Sequence, residues 1–292
     1  MDSEVAVARL ETIYRYPIKG CRGERVEAAD VTTGGLVGDR QWVLVNAQGI
    51  VNQKVMPALR FLEVFESSQG LTLNFAGSSE IHFDESAIEP TGPIKSIGRD
   101  VPCVSAGSVV SEWLLQVFGQ PLQLVKAAEA TLLHLEGTPF QSLHGSTQPA
   151  FVDIAPILIV SLASLADLND RIAESSQADA VDVSRSAAQG REAVQVEQFR
   201  PNLVISGLSP FAEESAATLQ IGDLTFSRVV ACERCSVTTF DPFGEERSKE
   251  PLRTLSQYRK DGVGYAGGVT FGGYFVPDGV GSVSLGNEIS SS

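Results

Sequence analysis

Short apolar alternations, broken again and again by glycine, restrict the fold of this chain more than any other feature. Gln41-Trp42-Val43-Leu44-Val45 runs into Asn46-Ala47-Gln48-Gly49, and Leu62-Glu63-Val64-Phe65 and Leu71-Thr72-Leu73-Asn74-Phe75 repeat the pattern. Such alternation, rich in β-branched and aromatic residues, suits half-buried sheet. A further strand is expected over residues 5–16. One helix interrupts the strands at residues 108–118, with Ser108 as its cap, Trp113, Leu114 and Val117 on one face, and Gly119 closing it. Residues 5–125 are therefore expected to form a β-rich, barrel-like domain.

Residues 126–290 read as a second body. Ile157-Leu158-Ile159-Val160 has the look of a buried strand, and Ser161 or Ser164 can cap a helix carrying Leu165, Leu168 and Ile172. Residues 175–198 are rich in Ser, Ala and Gln and are expected to be a surface excursion with room for helix. Strands resume at residues 199–205, 217–221 and 224–230. Pro251 starts another short helix, because proline fits the first helical turn.

With 43% hydrophobic and 20% charged residues in 292, the chain has the composition of a soluble globular protein. Residues 155–160 form the longest apolar stretch, too short to cross a bilayer, so no membrane segment is expected. The net charge of −14 opposes broad attraction to nucleic acid or anionic lipid, and neither is expected as a partner. An anionic ligand needs a local cationic pocket. The acidic start Met1-Asp2-Ser3-Glu4 is no signal peptide, and four cysteines are no disulfide scaffold, so a cytoplasmic setting is expected; a removed organellar leader remains compatible with it.

Chemistry concentrates at Ala231-Cys232-Glu233-Arg234-Cys235-Ser236-Val237-Thr238-Thr239-Phe240-Asp241-Pro242. Two thiols stand beside an arginine directly after a strand. Cysteine ligates a soft metal only as thiolate, and a cation such as Arg234 lowers the proton affinity of a thiol. The plainer reading is a pair of small, partly buried cysteines. A thioredoxin-type pair needs a helix after CxxC, whereas residues 236–242 favour extended chain and a turn. A structural zinc site needs four ligands, and His82, His134 and His144 offer no recognisable spacing. Gly262-Val263-Gly264-Tyr265-Ala266-Gly267 matches GxGxxG, but charged residues precede it and a strand follows, which refuses a dinucleotide fold.

Three further blocks set a cation beside proline, glycine or a turn near a strand end: Tyr16-Pro17-Ile18-Lys19-Gly20-Cys21, Gly38-Asp39-Arg40-Gln41-Trp42 and Phe199-Arg200-Pro201-Asn202. Alone, each is a surface cation. Together with Cys235 they suit an anionic, phosphate-bearing cofactor. These blocks, with residues 250–259 and Phe271-Gly272-Gly273-Tyr274-Phe275, resemble the arrangement of a MOSC N-terminal β-barrel followed by a MOSC (molybdenum cofactor sulfurase C-terminal) domain. The closer likeness is to the mitochondrial amidoxime-reducing components and their bacterial relatives.

That resemblance implies an α+β, β-rich fold in which residues 5–125 form the N-terminal β-barrel and residues 126–290 a barrel-like MOSC domain with a few peripheral helices. It implies a molybdenum cofactor (Mo-molybdopterin) whose metal is held by a dithiolene and by Cys235. Lys19, Gly20, Arg40, Ser161, Arg200, Asn202, Thr238 and Tyr274 fall at cofactor-contacting positions, and Asp153 near the site, where it is a candidate for proton transfer. Gly20 departs from the family, in which serine is common. The implied activity is reduction of small N-hydroxylated substrates, amidoximes and hydroxylamines, to amidines and amines. Some bacterial relatives carry a C-terminal ferredoxin domain marked by C-x4-C-x2-C, and no such cluster is present. Electrons are then expected from a separate protein: a b-type cytochrome, a ferredoxin or a flavin reductase. Two other readings stay open: a cofactor carrier or sulfur-handling module in which Cys232 or Cys235 accepts sulfur, and a non-catalytic binding protein.

Overall fold

The computed structural model describes residues 7–67, 70–77, 79–96, 99–128, 131–132, 147–148, 151–181, 193–260 and 265–292. As the sequence predicts, the class is α+β and strand-rich, with helices at Ser108–Phe118, Leu162–Val181, Ala212–Ser215 and Leu252–Tyr258. Among the described residues the sheets run as open strand orders, with no closed ring. The chain divides into two compact units: Tyr14–Pro156, and Met1–Ile13 together with Ile157–Ser292.

In the Tyr14–Pro156 unit, strand Trp42–Asn46 lies between Gln123–Ala127, antiparallel, and Ile18–Lys19, parallel. Its side chains alternate between two cores, as a period of two dictates. Trp42 and Leu44 pack with Leu59, Leu62, Leu73 and Trp113, while Val43 and Val45 pack on the other face with Val125 and Phe151. That double burial explains why the strand is apolar at four successive positions. The turn at Asn46 closes a hairpin onto Gly49–Ile50, and Leu62–Ser67, Gly70–Phe75 and Ser79–Phe83 form an antiparallel meander. The helix Ser108–Phe118 is capped by Gly107 rather than Ser108, which is its first helical residue. Gly119 ends it in the left-handed region, its N–H donating to the Leu115 carbonyl.

In the other unit the sheet order is Ile289–Ser291, Thr218–Ile221, Leu224–Glu233, Thr270–Pro277, Ile157–Ser161, Leu203–Ser206, Arg9–Arg15. Ile157–Ser161 is buried at all five positions, as befits a central strand running parallel to one neighbour. Arg9–Arg15 pairs antiparallel with Leu203–Ser206, from Arg9↔Ser206 to Ile13↔Leu203, with a bulge between Leu10 and Thr12. Gly207 (φ 81°) makes room for that pairing, since a Cβ there would stand 2.5 Å from Ala8 Cα.

Helix Leu162–Val181 begins at Ser161, whose Oγ accepts from the Ala163 N–H at 3.1 Å. The helix therefore enters the region expected as a surface excursion and runs through Val181, while residues 182–192 lie outside the described residues, as do residues 261–264 of the glycine-rich segment. Strand Leu224–Glu233 extends beyond its expected end to carry Cys232. Residues 199–202 are not strand: a 3-10 turn, Val196–Phe199, ends there, with Arg200 left-handed at φ 55°.

Candidate functional site around Cys235

Strand Leu224–Glu233 delivers the two thiols to different surroundings. Cys232 still belongs to the sheet and is 2% exposed, packed with Phe199 and Phe271. Cys235, three residues on, is exposed and extended (φ −121°, ψ 177°) at the mouth of a 3-10 turn, Ser236–Thr239. The extended chain expected over residues 236–239 is thus a single tight turn. Thr238 explains it: its N–H and Oγ1 both donate to the Cys235 carbonyl, at 3.1 and 2.9 Å. Thr238 is buried, and its own carbonyl accepts from Gln198 Nε2 at 2.9 Å. Its role in the structure is to fix the backbone of the thiol.

Arg234 ties this turn to the rest of the unit. Nη1 donates to Cys232 Sγ at 2.7 Å, Nη2 to the Phe199 carbonyl at 2.5 Å, and the guanidinium sits 5.2 Å from the centre of the Phe199 ring. Phe199 in turn stacks on Phe271, centroids 4.0 Å apart, both fully buried, each burial contributing roughly 1.5–3 kcal/mol. Burial opposes the charge of Arg234, but Cys232, Tyr274 and Cys235 outweigh it and raise its pKa. Those three groups share the field of one cation. The cation expected to activate the ligand thiol therefore bonds the other cysteine, and it acts on Cys235 only through space.

Around this centre the expected residues take distinct parts. Asn202 is fully buried, and its Oδ1 accepts from the Leu158 N–H at 3.1 Å while its own N–H donates to the Leu158 carbonyl at 2.8 Å. Ser161 is also fully buried and serves as the helix cap. Arg200 and Tyr274 remain half-buried, Arg200 at the end of the Val196–Phe199 turn and Tyr274 on Thr270–Pro277 opposite Val230.

Lys19, Gly20, Arg40 and Asp153 belong to the Tyr14–Pro156 unit. Lys19 Nζ donates to Asp153 at 2.5 Å. Arg40 pairs with buried Asp39 and lies 4.9 Å from the centre of the Tyr16 ring. Asp39 Oδ1 also accepts from the Tyr16 N–H at 2.8 Å, so one carboxylate fixes both blocks of this unit. Burial again opposes the cation, and Asp39, Tyr16 and Asp153 together raise the Arg40 pKa. Gly20 holds φ 85° with its carbonyl accepting from Gln53 Nε2 at 2.7 Å. A left-handed backbone is the physical reason for glycine there, since a Cβ would meet nothing closer than 3.5 Å.

Sequence reasoning passed over Asp39, visible inside its own motif, and the carboxylates Glu213 and Glu214. Glu213 is fully buried; it accepts from Ser164 Oγ at 2.7 Å and from the Ser161 N–H at 3.1 Å, and burial pushes its pKa up to about 7. Glu214 pairs with Arg259 at 2.5 Å. Adjacent acids in a helix of a single turn carry no spacing signal.

One soft donor is exposed, and among the described residues no group of three or more His, Cys, Asp or Glu side chains is arranged to hold a metal. Such a donor set fits a metal that brings most of its own ligands. A second observation fits an added group: Arg234 Nε is buried without a hydrogen-bond partner beside the thiols.

Residues 7–121 match the MOSC N-terminal beta barrel domain and residues 146–290 the MOSC domain, and the chain belongs to the MOSC family. Within it, the similarity to mitochondrial amidoxime-reducing components spans nearly the whole chain. Human mitochondrial amidoxime-reducing component 1 is 30% identical over 97% of this chain and 82% of its own length. The bovine mitochondrial amidoxime reducing component 2 is 28% identical over 97% of this chain and 83% of its own. Rice molybdenum cofactor sulfurase is 29% identical over 89% of this chain, matching 32% of that longer protein.

Proposed function

We propose that this protein is a molybdenum-cofactor-dependent reductase of small N-hydroxylated compounds, supplied with electrons by a separate redox protein. The observation that carries the reading is the exposed thiol of Cys235, held by Thr238 at the end of a strand in a chain similar over nearly all its length to amidoxime-reducing components. When bound, the cofactor supplies the two-electron chemistry that breaks an N–O bond.

The chain's own residues do the rest. Cys235 is the single protein ligand, and the Ser236–Thr239 turn fixes its direction. Arg234 lends positive field to both thiols without occupying the exposed one. Lys19, Arg40 and Arg200 are the cations assigned to the cofactor's phosphate, and Tyr274 orients it. The backbone of Gly20 is assigned to it as well. Ser161, Asn202 and Thr238 act through the backbone they brace. Asp153 orients Lys19, and any proton it delivers passes from its carboxyl oxygen.

Freshly purified protein should contain molybdenum and pterin in equal amounts, and with a chemical reductant it should convert an amidoxime to the amidine. A protein without molybdenum after expression in a cofactor-replete host would sink this reading. The sulfur-handling alternative draws on the likeness to molybdenum cofactor sulfurases, and since Cys232 is buried it would have to use Cys235. Persulfide at Cys235 without amidoxime turnover, read by mass spectrometry, would favour it.

A further inference from the structure

Beside the Ser236–Thr239 turn lies an open cleft of about 610 Å³. Small-ligand sites commonly fall in the range of about 300–1,000 Å³. Ser236 and Thr239 form one wall, so that the cleft starts at the residue next to Cys235; Arg247, Lys249 and Arg253 bring three cations, and Ser248 adds a hydroxyl. No lining residue is acidic, in a chain whose net charge is −14. Arg247 is held in place, its Nε donating to Thr239 Oγ1 at 3.0 Å and its guanidinium 4.9 Å from the centre of the Phe240 ring. Thr239 Oγ1 in turn donates to the Ser236 carbonyl at 2.7 Å. The turn that positions the thiol therefore also positions this cation.

Three like charges lining one cleft repel one another, and an anion bound among them relieves that repulsion. Guanidinium and ammonium donors with hydroxyls beside them are the chemistry that recognises carboxylate or phosphate. We infer that this cleft is an anion subsite that favours substrates carrying a carboxylate or phosphate in addition to their N-hydroxy group. The inference rests on the proposed reductase for its substrate class, while the anion site itself does not.

The test uses the full-length holoprotein, whose cofactor phosphate is already in place, and two variants, K249Q/R253Q and K249Q alone; Arg247 is left intact because it braces the turn. Inorganic phosphate binding is followed by calorimetry, and KM is measured with a carboxylate-bearing amidoxime and with its methyl ester. Loss of charge-assisted bonds should weaken phosphate binding and raise KM for the carboxylate about tenfold in the double variant, less in the single one, with KM for the ester changed less than about twofold. Unchanged phosphate binding in both variants would overturn the inference. A fall in molybdenum and pterin content would overturn it too, because the cleft would then hold the cofactor's own phosphate. So would equal slowing of both substrates seen only with a protein electron donor, the mark of a docking surface. If neither amidoxime is reduced but phosphate binding still falls in the variants, the anion site stands and the reductase reading fails.

Discussion

The cations of the sequence blocks singled out above are held differently in the two units. In Tyr14–Pro156, Lys19 and Arg40 each have a carboxylate partner in Asp153 and Asp39. In the unit built from Met1–Ile13 and Ile157–Ser292, Arg234 bonds a sulfur and a carbonyl, and Arg247 a hydroxyl. Partnering by carboxylate fixes a cation and offsets part of its field, whereas partnering by neutral groups fixes it and leaves the whole field in place. The first arrangement sets where a cation stands; the second keeps positive potential beside the exposed thiol.

The largest expected effect that separates these roles is at the thiols. Cys235→Ser should abolish molybdenum retention and lower turnover by more than about 100-fold, equivalent to about 3 kcal/mol, whereas Cys232→Ser should keep most of the metal. Metal analysis of both variants checks it, and full retention in Cys235→Ser would remove the ligand assignment. Next comes Asp39→Asn, which strips the buried partner from Arg40 and weakens the hold on the Tyr16 backbone. It should cost about 3 kcal/mol in urea unfolding, on the scale of breaking a buried ion pair.

Glu213 tests the interior of the thiol-bearing unit. Its pKa rises from an ordinary 4.5 to about 7 through burial, so the folded state binds the proton more tightly than the unfolded chain. Stability is then highest below pH 4.5 for this group, falls as pH rises to about 7, and stays lowered above it. Glu213→Gln mimics the protonated form. It should flatten that slope and stabilise the protein at pH 8 by about 2 kcal/mol, measured by denaturant titration across pH. A variant whose slope matches the parent would exclude Glu213 as its source. Smallest is Asp153→Asn, since the Asp153 side chain is 67% exposed: its effect on stability should stay below about 1 kcal/mol. A fall in kcat with pterin content intact would assign Asp153 to proton transfer, and a fall in pterin content would assign it to orienting Lys19.

Much of this was readable in the chain. The run Trp42-Val43-Leu44-Val45 announced a strand, and the left-handed stop at Gly119 followed from local chemistry, whereas the strand read over residues 224–230 runs on to Glu233. The turn types were harder. Residues 199–202 look extended by composition, but Gln195 and Gln198 cap each other reciprocally and close a 3-10 turn before Arg200, a polar pairing that apolar periodicity does not register. The ligand thiol was legible because its neighbours in sequence frame it. Its bracing was not, because Gln198 meets Thr238, and Phe199 meets Arg234, only in three dimensions. Nor does any local pattern announce that Arg9–Arg15 pairs with Leu203–Ser206, almost two hundred residues away.

That distant pairing also orders events during biosynthesis. The side of Arg9–Arg15 that pairs with Leu203–Ser206 has to wait until those residues leave the ribosome, and contacts of such long span are formed slowly. A fragment cut to start at residue 157 would expose the backbone of Leu203–Ser206 along one side, an invitation to self-association.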